Sequence, residues 1–192
     1  LAGVKTTMDQ LNIEGLVCVG GDGSLAIAQQ FHEFGIPVVG VPKTIDNDLS
    51  GTDVTFGFDT CINIATEMID NLHTTAKSHE RVIVCEVMGR HAGWIASFSG
   101  IAGNADYILV PEEEVDVDEL CRVVKDAYKC QEYAIVVAAE GARLAGIDVT
   151  KNQALDAFGH VQLGGIGERL AKIIEEKTGC ETRSTVLGHI QR

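Results

Sequence analysis

The chain has 192 residues, of which 45% are hydrophobic and 5% aromatic, with 21 glycines and a formal net charge of −13. The length suits one large domain or two small ones able to bury most of their surface. The acid excess, unbroken by any Lys/Arg run, argues against nucleic acid and anionic membrane as partners. An anionic ligand would therefore need an enclosed site, where a few placed arginines outweigh the unfavourable overall field.

In chain order, 1–14 reads as the middle of a helix leading into a strand. Leu16 to Val19, bounded by Gly15 and Gly20, reads as a buried parallel strand. A helix follows from Ser24 to Phe34, and Ile36 to Val41 forms a second strand. The polar stretch Gly51 to Phe58 is the one plausible domain junction, dividing 1–57 from 58–192. From Asp59 to Ala76, Ile62, Ala65, Met68, Ile69 and Leu72 recur at helical spacing.

Arg81 to Val87 is the third strand, Trp94 to Ala102 a mostly apolar helix, and Ala105 to Val110 the fourth strand. Asp116 and Glu119 form a capping signal for the helix that starts at Val117. Tyr133 to Ala138 is strand five, and Ala142 to Gln162 lacks a period and reads as a long loop. Leu163, Ile166, Leu170, Ile173 and Ile174 mark a helix that Gly179 ends, and Thr185 to Leu187 fits a last strand. Strands and helices alternate throughout. The expected fold is α/β, with Rossmann-like, largely parallel sheets and helices on their faces.

The six cysteines include no Cys-x-x-Cys pair, and several sit in apolar runs, as expected for thiols of a reducing cytoplasm. No stretch reaches the roughly 18 apolar residues of a membrane span. The chain reads as a piece of a longer protein, since it opens mid-helix and stops on the polar run Gly188 to Arg192.

Two stretches carry the chemistry. Pro42-Lys43-Thr44-Ile45-Asp46-Asn47-Asp48 follows the second strand, at the end where open α/β sheets place their ligands. In an extended segment Asp46 and Asp48 point to one side and Asn47 to the other. Two carboxylates there repel unless a metal ion, a basic group or a polar substrate offsets them, although a solvated turn uses the same residue types. Gly20-Gly21-Asp22-Gly23-Ser24 lies between a strand and a helix, so its amides can receive a phosphate group. An acid in such a turn fits if it addresses magnesium held on a phosphate chain. Neither Gly-x-x-x-x-Gly-Lys-Ser/Thr nor Gly-x-Gly-x-x-Gly is present.

Gly20 to Ser24, Thr44-Ile45-Asp46-Asn47-Asp48, Met88-Gly89-Arg90 and Gly188-His189-Ile190-Gln191-Arg192, in this order, together resemble the 6-phosphofructokinase family over nearly the whole chain. The resemblance implies transfer of the terminal phosphoryl group to the 1-hydroxyl of fructose 6-phosphate. It places Asp46 as the base, with Thr44, Asp48 and Arg90 in the catalytic group, and Asp22 as the acid associated with magnesium. Gly20, Gly21, Gly23, Ser24 and Lys43 would line the donor site in 1–57. Met88, Gly89, Arg90 and Glu140 would hold the sugar in 58–192, and His189 and Arg192 its 6-phosphate. Arg81 and Arg183 correspond to arginines that reach in from a neighbouring subunit, implying a homo-oligomer, dimer or tetramer, with shared active sites.

Family members use ATP or pyrophosphate. Gly23 stands where pyrophosphate enzymes usually carry Asp, which favours ATP, whereas Lys43 is common to pyrophosphate enzymes. ATP is the favoured donor and pyrophosphate the alternative. A non-catalytic sugar-phosphate-binding subunit is a third reading, against which the intact Asp22 and Asp46 stand.

Overall fold

A computed structural model describes residues 1–145 and 164–192. The described chain divides into two compact units, Leu1–Phe58 and Asp59–Arg192.

In the first unit, α1 (Ala2–Gln10) leads to β1 (Leu16–Gly20), α2 (Asp22–Glu33), β2 (Val38–Thr44) and the short β3 (Phe56–Gly57). The sheet order is β1-β2-β3 and every pairing is parallel, with Leu16 opposite Val38 and Gly20 opposite Pro42. α2 packs on one face, where Gly40 carries no side chain and Leu25 fills the space. Val17, Val19 and Val39 point the other way and are more than half exposed. The expected parallel strand at Leu16 to Val19 is present, and among the described residues it is covered on the α2 face alone. An apolar run reports a strand, but not how many faces the described residues cover. β2 also lies further along the chain than expected, and Thr44 is its last residue rather than part of the following loop.

The second unit runs α3 (Phe58–Ser78), β4 (Val82–Val87), α4 (Trp94–Ala102), β5 (Tyr107–Leu109), β6 (Glu114–Val115), α5 (Val117–Gln131), β7 (Ala134–Ala139), β8 (Arg143–Leu144), α6 (Ile166–Thr178) and β9 (Thr182–Val186). Its main sheet has the order β5-β7-β4-β9, all parallel, with Val82 opposite both Ala134 and Thr182. β4 and β7 are buried along their whole length. On one face Val82, Val84, Ala134 and Val136 pack with Leu120 and Val124 of α5 and Leu170 and Ile174 of α6. On the other, Gly100 of α4 lies so close to Ile108 and Val137 that an added Cβ would come within 2.8 Å of Ile108.

Asp116 caps α5 as expected, its Oδ1 accepting from the amides of Asp118 at 2.8 Å and Glu119 at 3.4 Å. A cap of this kind is worth about 0.5–2 kcal/mol. α6 ends at Gly179, which takes the left-handed conformation at φ 76°. The pairing of β6 with β8 was not expected, because two-residue strands leave no period to read. Most of the expected loop Ala142 to Gln162, together with Leu163, lies outside the described residues.

Candidate active site

The first unit carries its polar motifs at the carboxyl ends of β1 and β2, which are adjacent and parallel. The Gly20 to Ser24 turn is tight. A Cβ at Gly20 would fall 2.4 Å from that of Ser24, and one at Gly21 would lie 3.4 Å from Thr44, so the turn lies against the end of β2. α2 begins at Asp22, two residues earlier than expected, which puts Asp22, Gly23 and Ser24 in its first turn. First-turn amides lack intrahelical acceptors and sit at the positive end of the helix dipole, an arrangement suited to a phosphate group. Nothing lies within 4 Å of a Cβ built at Gly23. Asp22 and Lys43 are both exposed.

Thr44 and Asp46 are bound to each other. The Thr44 hydroxyl accepts from the Asp46 amide at 3.2 Å and donates to Asp46 Oδ2 at a long 3.4 Å. The segment does not stay extended. β2 stops at Thr44, and Asn47 takes a left-handed conformation at φ 53°, so simple alternation does not place Asp46 and Asp48 on one side. Asp46 is half-buried and Asp48 exposed. Asn47 turns inward, its Oδ1 accepting from the amide of Thr55 at 2.9 Å, while the buried Thr55 hydroxyl donates to the Thr44 carbonyl at 2.8 Å. Thr55 thus holds the loop that carries Asp46. No sequence signal singled it out.

The second unit repeats the logic. Met88–Arg90 follows β4, Glu140 follows β7 and the 3-10 turn Gly188–Gln191 follows β9, and β4 lies between the other two strands. The strand order therefore gathers these three motifs at one edge. Gly89 (φ 142°) and Arg90 (φ 53°) both sit in positive-φ backbone. Glu140 Oε1 accepts from the Arg90 amide at 3.0 Å, and Glu112 Oε1 from the Gly93 amide at 2.7 Å. A Cβ at Gly141 would lie 2.1 Å from the Arg90 carbonyl oxygen, so only glycine fits there. Glu140, expected as a sugar ligand, is seen here as a brace for the turn that carries Arg90. Glu112 was not expected at all. The neighbouring Cys85 is buried, which pushes its thiol up to about 12, far from a reactive thiolate.

His189 and Arg192 are exposed beside Gln191, which is fully buried. Arg81 and Arg183 do not join this edge. They lie at the amino end of β4 and early in β9, on the order of 20 Å along the strands from Arg90. Both bind Glu181 Oε1, at 3.1 and 2.8 Å, a carboxylate that sequence reasoning missed.

Each unit therefore presents polar motifs at the carboxyl ends of adjacent parallel strands, the arrangement of an open α/β ligand-binding protein. A family model described as "Phosphofructokinase" matches residues 1–192, and the chain belongs to that family. It is 56% identical over 191 residues to the pyrophosphate–fructose 6-phosphate 1-phosphotransferase of Streptomyces coelicolor, covering 98% of this chain and 56% of that protein. It is 48% identical to the ATP-dependent 6-phosphofructokinase of Corynebacterium efficiens, covering 98% of this chain and 55% of that one. The chain thus spans about half the length of these relatives. Among solved structures, phosphofructokinase from Saccharomyces cerevisiae matches with a TM-score of 0.81 at 33% identity, over 96% of this chain and 26% of that one. The pyrophosphate-dependent phosphofructokinase from Marinobacter aquaeolei matches with a TM-score of 0.78 at 28% identity, over 96% and 47%. The parallel α/β fold expected from the sequence is the fold of these structures.

Proposed function

We propose that the intact protein transfers the terminal phosphoryl group of ATP to the 1-hydroxyl of fructose 6-phosphate, giving fructose 1,6-bisphosphate. The observation that carries this reading is Asp46, oriented by Thr44 at the carboxyl end of β2 and next to the glycine turn that opens α2. Phosphoryl transfer asks little covalent chemistry of a protein and mostly demands in-line positioning with charge offset around the moving group. Asp46 accepts the proton of the 1-hydroxyl, that oxygen bonds to the terminal phosphorus, and the bond to the bridging oxygen of the donor breaks. The first-turn amides of α2 receive donor phosphate, with the Lys43 backbone close to Gly21 at the start of that turn. Met88, Gly89, Arg90 and Glu140 hold the sugar, and His189 and Arg192 its 6-phosphate. On this reading 1–57 serves the donor and 58–192 the sugar phosphate.

Among the described residues, no three His, Cys, Asp or Glu gather into a metal cage. The exposed Asp22 beside a phosphate-receiving turn suits magnesium, which takes one or two carboxylates together with phosphate oxygens and water. When bound, magnesium offsets charge on the phosphate chain. Asp22 would hold it.

The placement of Arg81 and Arg183 at the far end of β4 and β9 supports their service to a neighbouring subunit, in a homo-oligomer with shared sites. The six cysteines are free thiols, and no described helix is long and apolar enough to cross a membrane. Both features suit a protein of the reducing cytoplasm. A second donor, pyrophosphate, is favoured by Lys43 and by the name of the Streptomyces coelicolor relative.

A coupled assay of the intact protein with fructose 6-phosphate, magnesium and either donor decides. Turnover with ATP is the expected result. Turnover with pyrophosphate alone would reverse the donor assignment, and none with either, from folded protein, would favour the non-catalytic sugar-phosphate-binding subunit.

A further inference from the structure

Glu86 is a carboxylate in the middle of a hydrophobic sheet, 2% exposed, on the strand that leads to Met88–Arg90. The phosphoryl-transfer reading gives it no task. Its two oxygens are nevertheless both occupied. Oε1 accepts from the Gly165 amide at 3.1 Å and Oε2 from the Gly167 amide at 2.7 Å, both at the amino end of α6. The chain is shaped to allow this. Gly164 and Gly165 take positive φ, 132° and 83°, and a Cβ at Gly167 would come within 3.1 Å of Glu86 Cβ and Oε2. Three glycines in four residues thus wrap a helix start around one acid.

The same residue is tied to the sugar-phosphate edge through its backbone. The Glu86 carbonyl accepts from the Leu187 amide at 3.0 Å, immediately before the turn that carries His189 and Arg192. Its neighbour Val87 accepts from the Glu140 amide at 2.8 Å, and Glu140 in turn braces Arg90. We propose that Glu86 is a positioning residue: its ionised carboxylate clamps the first turn of α6 to β4 and so sets the strand ends that present Arg90, His189 and Arg192. This rests on the reading of that edge as the sugar-phosphate site.

The clamp responds to pH. Burial pushes the Glu86 carboxyl above its ordinary value of 4.5, the two amides pull it back in part, and Glu140 and Glu168 push it up further; Cys85 stands beside it on β4. The folded state therefore takes up this proton more readily than the unfolded chain. Its share of stability is greatest below the unfolded value and declines as pH rises through the folded one. A protonated carboxyl, however, binds two amide donors less well than a carboxylate. Acidification loosens the clamp without drawing on fold stability through this group.

Glu86→Gln keeps the shape and removes the charge. In the intact protein it is expected to raise the KM for fructose 6-phosphate about tenfold, the scale of one charge-assisted hydrogen bond. It should leave the donor KM nearly unchanged, lower kcat less than it raises the KM for fructose 6-phosphate, and lack the part of the low-pH rise in KM that protonation of Glu86 gives the wild type. Equal losses in kcat and in both KM values, or unchanged kinetics, would overturn the proposal. Amide exchange at Gly165 and Gly167 in wild type needs neither a variant nor a substrate. Corrected for intrinsic rate, it should quicken as pH falls from neutral towards the carboxylate range. A flat profile there overturns the clamp even if the enzyme turns over, whereas a quickening one in a protein without turnover upholds the clamp and removes only the sugar-phosphate reading.

Discussion

Replacing Asp46 with alanine in the intact protein is expected to lower kcat about 10²–10⁴-fold, the usual contribution of general-base help, while the KM for fructose 6-phosphate moves far less. The reason lies in what Asp46 does and does not hold. Its amide and Oδ2 both engage Thr44, two residues back, which helps to orient the carboxylate. The loop itself is held by other residues. Asn47 and Thr55 close it through hydrogen bonds of 2.9 and 2.8 Å that do not involve the Asp46 side chain. The substitution therefore removes a proton acceptor and leaves the backbone that presents it. A melting transition close to that of wild type should accompany the loss of turnover. A large fall in sugar affinity with kcat preserved would place Asp46 in ground-state binding instead.

The second large effect concerns the donor. Gly23→Asp should raise the KM for ATP by roughly 10- to 1000-fold and disturb pyrophosphate use much less. A carboxylate about 4 Å from a nucleotide α-phosphate costs about 4 kcal/mol at an effective dielectric of 20 and about 1 in bulk water. Gly23 is exposed, so the effect should fall between these limits, and it should shrink with added salt. Steric conflict is not the cause, because nothing lies within 4 Å of the new Cβ. Nor is unfolding, since an acid in the first turn of α2 suits the helix dipole better than glycine does. Donor kinetics at two ionic strengths check the prediction. Unchanged ATP kinetics would show that position 23 does not face the nucleotide.

Much of this arrangement was legible in the sequence, for identifiable reasons. Helices with a clear apolar stripe, such as α3 and α5, came within a few residues of their observed bounds, because 3.6-residue spacing survives tertiary packing. Trp94 to Ala102 matched at both ends. Local chemistry also carried through, as in the Asp116 cap and the Gly179 stop. What could not be read depends on contacts distant in sequence. The exposure of Val17 and Val19 depends on which sheet face is covered, and an apolar run carries no such information. The bend at Asn47 arises from its bond to Thr55, eight residues on, and it removed the extended geometry that sequence alternation required of Asp46 and Asp48.

The site shows the same division. The glycine turn and the paired acids stood out because such residues are unusual after strands, whereas Met88–Arg90, Glu140, His189 and Arg192 rested on the family resemblance. Their supports, Thr55, Glu112, Glu181 and Glu86, were missed because each is an ordinary residue until the fold brings its partner to it. Of these, Glu181 and Glu86 left faint traces. Glu181 lies two residues from Arg183, and Glu86 is an acid inside an otherwise apolar strand. An acid in such a run asks for a partner, and a glycine-rich helix start was available to supply one.

Phosphoryl transfer as proposed depends most on where the Asp46 carboxylate lies relative to the reacting oxygen. A structure of the intact protein with fructose 6-phosphate bound measures that distance directly. A carboxylate oxygen within about 2.6–3.2 Å of the 1-hydroxyl, or joined to it through one water, is the predicted result. A sugar bound with its 1-hydroxyl beyond that reach would contradict it.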